Sequence, residues 1–431
     1  MASGCRATGS SDPPATSEED QAGLAVHGSA SLRYEHRRTG NAKDQDLRAY
    51  VDLDFGDASQ DRFTGRLSGR AALDLDGDSG DIFDGITDTF DSSLNGQLYD
   101  AYVDVHDPLG AIALVRLGRQ LDYETPEAVV YDGARVETRE MGDARWRLGA
   151  YGGVSTHYYE SSSAGDQVYG AYLHAHPWPD GRLNFDWIHA EDERDLGGFD
   201  NDLFGVELWQ ELTRAVRFEA AYTRLSDESR DLRLRTSWLD ADQALRVQLS
   251  YYELFETQIA NPLEFDKFSE TLFAYFPFYR FDLSISKGLG ERVQLLAGID
   301  TRRVDDDDDI SDFNRDVDRY YLTTVFDQLG SENTSLSLTG DVWEGGDRDV
   351  QTWGADLTHR FRDDLEGSIG SYYSLYKFDL FNVEERDNVR TYYVRVERDL
   401  GSGLELQVDF EVEDNDVDDF QLLRVRLLWR F

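Results

Sequence analysis

The sequence predicts an all-β fold: a single large antiparallel transmembrane β-barrel of about 22 strands, within a range of about 18–24. Three observations carry this expectation. Apolar and polar residues alternate with period two over most of the chain, the pattern of strands with one face in an apolar medium and the other in water. The alternating segments run to about 10 residues, the length a tilted strand needs to cross a bilayer, whereas ordinary sheet strands average about 5–6. Short and long connections take turns between segments, as they must when all tight turns fall on one rim of a barrel and all long loops on the other.

Composition bounds the class. The chain has 431 residues, 40% hydrophobic and 13% aromatic, too rich in apolar side chains for a disordered protein. Its 86 acidic residues outnumber 43 basic ones, for a net charge of -43. No basic block concentrates the positive charge, which excludes nucleic acid as a partner. The single cysteine, Cys5, excludes an intrachain disulfide and a cysteine-based zinc site. His174 and His176, at i, i+2 before Pro177, read as strand residues beside a turn. No apolar run of about 18 residues is present, so no transmembrane helix is expected. Met1 to Asp20 lacks the apolar core of an export signal. Residues 1–21 read as a disordered tail and 22–431 as the barrel. The small residues before Cys5 look like those preceding a lipidated cysteine, without the hydrophobic segment such sites carry.

The elements follow in order. The first segment runs from Leu24 to Arg37. The second places Leu47, Ala49, Val51, Leu53 and Phe55 on one face. The third, Arg62 to Leu75, keeps strict period two: Phe63, Leu67 and Leu73 oppose Arg62, Arg66 and Arg70, which no amphipathic helix can do. Further segments lie at 97–106, 111–118, 129–138, 144–157, 167–176, 181–190, 202–212, 215–224, 230–239 and 244–256. The rest lie at 268–286, 291–301, 317–327, 334–343, 350–360, 365–377, 389–398, 403–412 and 420–431. The 268–286 segment contains Pro277 and is expected to be one long bent strand. In the last strand Val425, Leu427, Trp429 and Phe431 share one face, and Arg424, Arg426 and Arg430 the other. An even strand number puts both termini on one rim.

The tight gaps, at 56–61, 107–110, 177–181, 240–243, 287–290 and 400–403, carry Gly, Pro or Asp and are predicted to be periplasmic turns. The long gaps, at 76–96, 119–128, 191–201, 257–267, 302–316, 378–388 and 413–419, are predicted to be extracellular, and several are acidic. Asp305 to Asp309 form an unbroken run; Glu191, Asp192, Glu193 and Asp195 form a second cluster and Glu413, Asp414, Asp416, Asp418 and Asp419 a third. Such loops attract Ca2+ or Mg2+ diffusely. Asp74, Asp76, Asp78 and Asp81 resemble the first half of a calcium loop but lack the glycine and glutamate that complete one, so at most a weak divalent cation is expected there, and no resident cofactor.

An arginine on the lipid face near the midplane costs about 2–4 kcal/mol. Alternation therefore assigns Arg62, Arg66, Arg70, Arg217, Arg233, Arg235, Arg246, Arg395, Arg424 and Arg426 to the inner face, with Glu207, Glu219, Glu397 and Glu405 beside them. These are the expected pore-lining residues. They pair across strands and shape the field of a water-filled lumen. The gap beginning at Arg119 is the candidate constriction loop, with Arg119, Asp122, Glu124 and Glu127 as its charges. Tryptophans and tyrosines near segment ends, including Tyr151, Tyr222 and Tyr251, read as aromatic girdles. Tyr252 and Tyr393 fall on the inner face.

The terminal Val425–Phe431 strand, the Leu117-Gly118-Arg119-Gln120 element and the Asp132-Gly133-Ala134-Arg135-Val136 return strand resemble those of Gram-negative outer-membrane porin-type barrels. Alginate-export-like porins and the large barrels that sheath multihaem cytochromes are of this kind. The resemblance covers roughly residues 22–431 as a pattern. It implies the outer membrane, contact with its lipid and lipopolysaccharide, and no defined substrate. An alginate-type lumen would be strongly arginine-rich; the inward acids depart from that. A cytochrome sheath would act only as a sleeve, since Cys-x-x-Cys-His is absent.

The function expected is an outer-membrane channel for passive diffusion of ions or small hydrophilic solutes. The alternatives are a structural sleeve around a periplasmic multihaem cytochrome and a soluble acidic all-β binding protein. An enzyme is not expected. There is no Gly-x-Ser-x-Gly elbow, and a strand cannot present Ser155 and His157 as a catalytic dyad.

Overall fold

The computed structural model describes residues 25–39, 42–75, 94–123, 128–156, 166–194, 197–255, 258–259, 274–275, 277–305, 316–345, 349–379, 384–415 and 420–431. The strands are, in chain order, β1 (Val26–Thr39), β2 (Ala42–Phe55), β3 (Phe63–Asp74), β4 (Leu94–Leu109), β5 (Ile112–Asp122), β6 (Val129–Thr138), β7 (Arg147–Ser155) and β8 (Gln167–Ala175). Next come β9 (Gly181–Arg194), β10 (Gly197–Thr213), β11 (Val216–Leu225), β12 (Glu228–Asp240), β13 (Leu245–Leu254), β14 (Gln258–Ile259), β15 (Ala274–Tyr275) and β16 (Phe278–Leu289). The chain finishes with β17 (Val293–Val304), β18 (Val317–Asp327), β19 (Thr334–Glu344), β20 (Val350–Arg362), β21 (Leu365–Asp379), β22 (Glu384–Gly401), β23 (Leu404–Asp414) and β24 (Phe420–Arg430).

Twenty-two of these form one sheet in which each strand pairs antiparallel with the next, β13 passing directly to β16. β1 also pairs with β24, from Ser29 opposite Arg430 to Thr39 opposite Phe420, so the sheet closes on itself. β14 and β15 form a separate two-stranded sheet. The backbone extends the closure past the last paired strand residue, with Gly28 and Phe431 exchanging N–H···O bonds of 2.9 and 3.0 Å. A closed barrel leaves no edge whose N–H and C=O groups face hydrocarbon unpaired.

Register separates two faces around the whole wall. Leu32, Val51, Leu67, Val103, Leu117, Leu249, Ile285, Leu322, Leu338, Ile369, Val394, Phe410 and Leu427 are exposed on one face. Arginines and carboxylates alternate with them on the other. The exposed apolar faces are not packed into a core, which sets aside the soluble reading. Near the long-loop rim the apolar belt passes into Tyr222, Tyr279, Tyr320, Trp353 and Tyr392, and near the other rim into Trp238, Phe361, Trp429 and Phe431, all exposed. Such rings belong at the headgroup level.

The strands run further than alternation alone indicates. Glu191 to Arg194 belong to β9 and 384–388 to β22, so two connections expected to be long are hairpins between extended strands. Beyond the membrane boundary a strand needs no apolar face, and its polar continuation looks like loop in sequence. The 268–286 segment is also corrected: β16 starts at Phe278, and Ala274–Tyr275 pairs with Gln258–Ile259. Pro277 has no N–H to give the ladder, although its carbonyl accepts a bond from Asp305 N (2.9 Å). The tail 1–21, Cys5 and most of the acidic loop residues lie outside the described residues.

The β22–β23 turn shows how tight the short-turn rim is. Gly401, Ser402 and Gly403 all have positive φ, and a Cβ on Gly403 would strike the Arg430 carbonyl. Glycine is the residue that adopts this conformation without penalty.

Leu338, midway along β19, tests the outer face. Leu338→Arg is expected to destabilise the barrel by about 2–4 kcal/mol, the cost of a cation at the midplane, in urea unfolding from lipid vesicles. Thr339→Arg, one residue on and on the charged face, is expected to cost under about 1 kcal/mol.

Candidate functional site

The charged face is concave. One cavity of about 530 Å3 is lined by Arg147, His174, Arg182, Glu207, Thr223 and Arg233, among others. A second, of about 500 Å3, is lined by Arg319, Tyr321, Asp341, Asp356 and Tyr393, among others. Both draw on several adjacent strands, so this face is the inside of the barrel.

Closure places one dense ionic network at the seam where β24, β1 and β2 meet. Arg37 contacts Asp46 at 2.8 Å and also pairs with Asp44; Arg48 contacts Asp46 at 2.6 Å. Glu35 receives Arg33 at 2.5 Å, Arg424 at 3.5 Å and Arg37 at 3.6 Å. Arg424 also reaches Glu411 at 3.6 Å. Asp46 is only 1% exposed. Next along the wall, Arg66 spans Asp52 (2.6 Å), Asp54 (3.1 Å) and Asp100 (3.4 Å). Arg116 makes a two-point contact with Asp104 at 2.7 and 2.9 Å while its guanidinium sits 3.7 Å from the Tyr102 ring centre. Arg135 is buried between Asp122 (3.1 Å), Glu137 (2.5 Å) and the Tyr172 hydroxyl (2.7 Å).

The predicted lining residues fall as follows. Arg66, Arg70, Arg217, Arg233, Arg235, Arg246, Arg395, Arg424 and Arg426 share the charged face by register, as do Glu207, Glu219, Glu397 and Glu405. Arg233 pairs with Asp231 (3.2 Å), Arg235 with Glu219 (3.5 Å) and Arg395 with Asp409. Glu207 accepts from Asn184 (2.8 Å), and Glu405 pairs with Arg430 (2.9 Å). Arg62 lies one residue before β3, in the turn at the short-turn rim, beside the Phe63 ring.

The candidate constriction is corrected in part. Arg119 belongs to β5 and shares the face of Leu117, Ala134 and Val136, outside the barrel. It makes a two-point contact with Asp132 there (2.7 and 2.6 Å), which neutralises the pair close to the strand end. Asp122 is the last residue of β5, on the inside, held by Arg135. Glu124 and Glu127 lie outside the described residues. Of the four candidate cation ligands, Asp74 ends β3 and Asp76, Asp78 and Asp81 lie outside the described residues; among those described, no three His, Cys, Asp or Glu groups could share a metal. Tyr151, expected in a girdle, faces inward and is buried.

Sequence reasoning missed that many interior arginines lie against aromatic rings. Arg182 and Arg217 approach the same ring, Trp209, at 5.9 and 5.3 Å. Arg302 lies 4.0 Å from Phe278, and Arg319 lies 4.8 Å from both Tyr321 and Trp343. Register pairs interior tyrosines with glycines on the neighbouring strand: Tyr151 with Gly170, Tyr172 with Gly149, Tyr321 with Gly298 and Tyr393 with Gly370. A Cβ on any of these glycines would collide with the facing ring. The rings therefore lie flat along the wall. The parity of Arg116, Arg135, Arg182 and Arg319 was readable in sequence; their partners, set by the register between strands, were not.

At the short-turn rim, Arg145 donates to Glu140 at 2.6 and 3.0 Å and holds its carboxyl below the usual glutamate range. Ser59 does the same for Asp57 through its side-chain and backbone donors.

No family model matches the chain and no curated protein matches it. Solved structures do. The chain is similar to the P pilus usher (PapC) translocation pore, with a TM-score of 0.55 and 10% identity over 94% of this chain and 99% of that one. It is also similar to OccAB4 of Acinetobacter baumannii (TM-score 0.47, 10% identity, 94% and 97% covered). For OccK3 (OpdO) of Pseudomonas aeruginosa the values are 0.44, 15%, 94% and 95%. The usher likeness shows a shared barrel fold and nothing finer. A closed 22-stranded barrel with an apolar belt fits the Gram-negative outer membrane.

The seam network carries a stability expectation. Asp46→Asn strands Arg37 and Arg48 without their shared carboxylate, and removing one partner of a buried pair costs about 3–5 kcal/mol. Glu405→Gln, at a more exposed pair, is expected to cost under about 1 kcal/mol. Urea unfolding of the two variants in lipid measures the contrast.

Proposed function

We propose that the chain is an outer-membrane, porin-type channel that passes ions or small hydrophilic solutes by passive diffusion through an arginine- and carboxylate-lined lumen. The observation that carries this reading is a closed wall whose exposed apolar side faces outward and whose charged side encloses space, with many interior arginines only partly buried. An aqueous interior accounts for that arrangement. Fixed charges and dipoles along such a path select among permeating species without any chemical step, so a channel suits the geometry better than an enzyme does.

On the outside the partners are membrane lipid and, at the long-loop rim, lipopolysaccharide. Ion pairs such as Arg119–Asp132 and Arg303–Asp318 (2.6 Å) sit on the outer face toward that rim. The excess of acid, -43 over the chain, gathers Ca2+ or Mg2+ diffusely at the acidic connections.

Purified protein in a planar bilayer is expected to give steady, ohmic conductance steps. Their absence, together with a stoichiometric complex with a periplasmic multihaem cytochrome, would replace the channel by the sleeve.

A further inference from the structure

The outer face also carries arginines and lysines, and toward the long-loop rim they differ in their partners. Arg119, Arg224 and Arg303 each meet a carboxylate: Asp132 at 2.6 Å, Asp227 at 3.4 Å and Asp318 at 2.6 Å. Arg390 has no ion pair among the described residues, but it donates to the Trp353 carbonyl and the Thr352 hydroxyl. Arg38 and Lys43 are unlike these. Parity with Leu32 on β1 and Val51 on β2 turns both outward, and both are exposed. Register sets them directly opposite each other. Among the described residues neither has a carboxylate within ion-pair distance, and the other ladder neighbour of Arg38 is the uncharged Gln421 of β24. Like charges directly opposite on one face destabilise a sheet. A chain with 86 acidic residues against 43 basic ones thus leaves one cation pair uncompensated, beside the seam.

The height of the pair is also informative. From Ala30, opposite Trp429, to Arg38 the strand climbs about 20 Å, at about 3.4 Å per residue and a tilt of about 40°. The apolar band of such barrels is about 25 Å tall, so the two cations lie at its outer margin. One register pair further on, Thr39 opposite Ala42, the β1–β2 ladder ends. Below the pair, the Tyr34 hydroxyl donates to Gln45 Oε1 (2.9 Å), and then the exposed Leu32 and Leu427 begin the apolar slope.

We infer that Arg38 and Lys43 clasp a phosphate of an outer-leaflet lipid, the phosphorylated sugar headgroup of lipopolysaccharide. A phosphate between the two side chains turns their repulsion into two charge-assisted contacts. The guanidinium offers a planar fork and the ammonium a compact point charge, and both suit phosphate oxygens. At the edge of the hydrocarbon the effective dielectric is below that of bulk water, which strengthens each contact. Acyl chains hanging from the same headgroup would lie along Leu32 and Leu427. The outer pairs at Arg119, Arg224 and Arg303 have their charge already cancelled by acids and offer an anion less. This inference deepens the lipopolysaccharide reading above and rests on it.

The test is lipid retention by the full chain folded in detergent micelles, read by native mass spectrometry with EDTA present. The probes are diphosphorylated lipid A and the same glycolipid without phosphates. The unaltered protein is expected to hold the diphosphorylated form at least about tenfold more tightly than the double variant Arg38→Gln, Lys43→Gln does, the loss of two charge-assisted contacts. Neither change orphans a carboxylate, and heat-modifiable migration on a denaturing gel shows that the variant still folds. Lys287→Gln removes an outward cation at the opposite rim, where Lys287 donates to the Gln243 carbonyl, and is expected to leave retention within about twofold. Equal retention by the double variant would overturn the clasp, as would an equal loss in Lys287→Gln. Release by EDTA would mean that a divalent cation on carboxylates bridges the lipid instead, and displacement by millimolar inorganic phosphate would mean a site for the free anion. Equal binding of the phosphate-free glycolipid would sink the clasp and leave the lipopolysaccharide reading standing, whereas no binding of either probe would remove both. Retention is read without current, so it stands apart from the conductance test of the channel.

Discussion

Every other feature of this protein depends on the satisfaction of backbone hydrogen bonds in a medium that offers none. A strand in hydrocarbon must pair on both sides, and twenty-two strands achieve this only because β24 returns to β1. Once the sheet is closed, alternation along each strand becomes an inside and an outside. The outside must be largely apolar to be solvated by lipid, and the inside carries most of the wall's charge, with outer pairs such as Arg119–Asp132 near the rim. The densest ionic network therefore lies at the seam. Glu35 on β1 is gripped by Arg33 and Arg37 of its own strand and by Arg424 of β24, so side chains reinforce the join that the backbone makes.

Much of the fold was legible. The faces of Leu47–Phe55 and of the terminal strand, and the strand number itself, follow from period two, because one misplaced residue would turn an entire strand's greasy side to water. Strand ends were less legible, as Glu191–Arg194 shows, since extension beyond the bilayer leaves no apolar signature. Arg119 illustrates a second limit. Its charge suggested an aqueous location, but its parity with Leu117 was the stronger physical constraint, and Asp132 on the next strand removed the conflict. The partner could not be known without the register. The same holds for the candidate site: alternation indicated which side chains share a face with the arginines, but not that Arg135 is enclosed while Arg235 is open.

That last distinction matters for how charge is used inside a barrel. Two arginines on the same face, a few strands apart, have opposite energetic characters. One is desolvated and committed to fixed partners, contributing rigidity. The other remains hydrated and contributes potential. Counting interior arginines would merge these roles and overstate the field that a solute meets.

The tyrosines laid over glycines have a consequence for bore size. Tyr172 over Gly149 and Tyr393 over Gly370 occupy thickness that the facing residue has given up, so a large ring adds area to the lining without narrowing the passage. Calibre in such a wall is therefore encoded in pairs: enlarging the small partner would tip the ring toward the axis, and a single methyl on one strand would be felt as several ångströms of obstruction supplied by its neighbour.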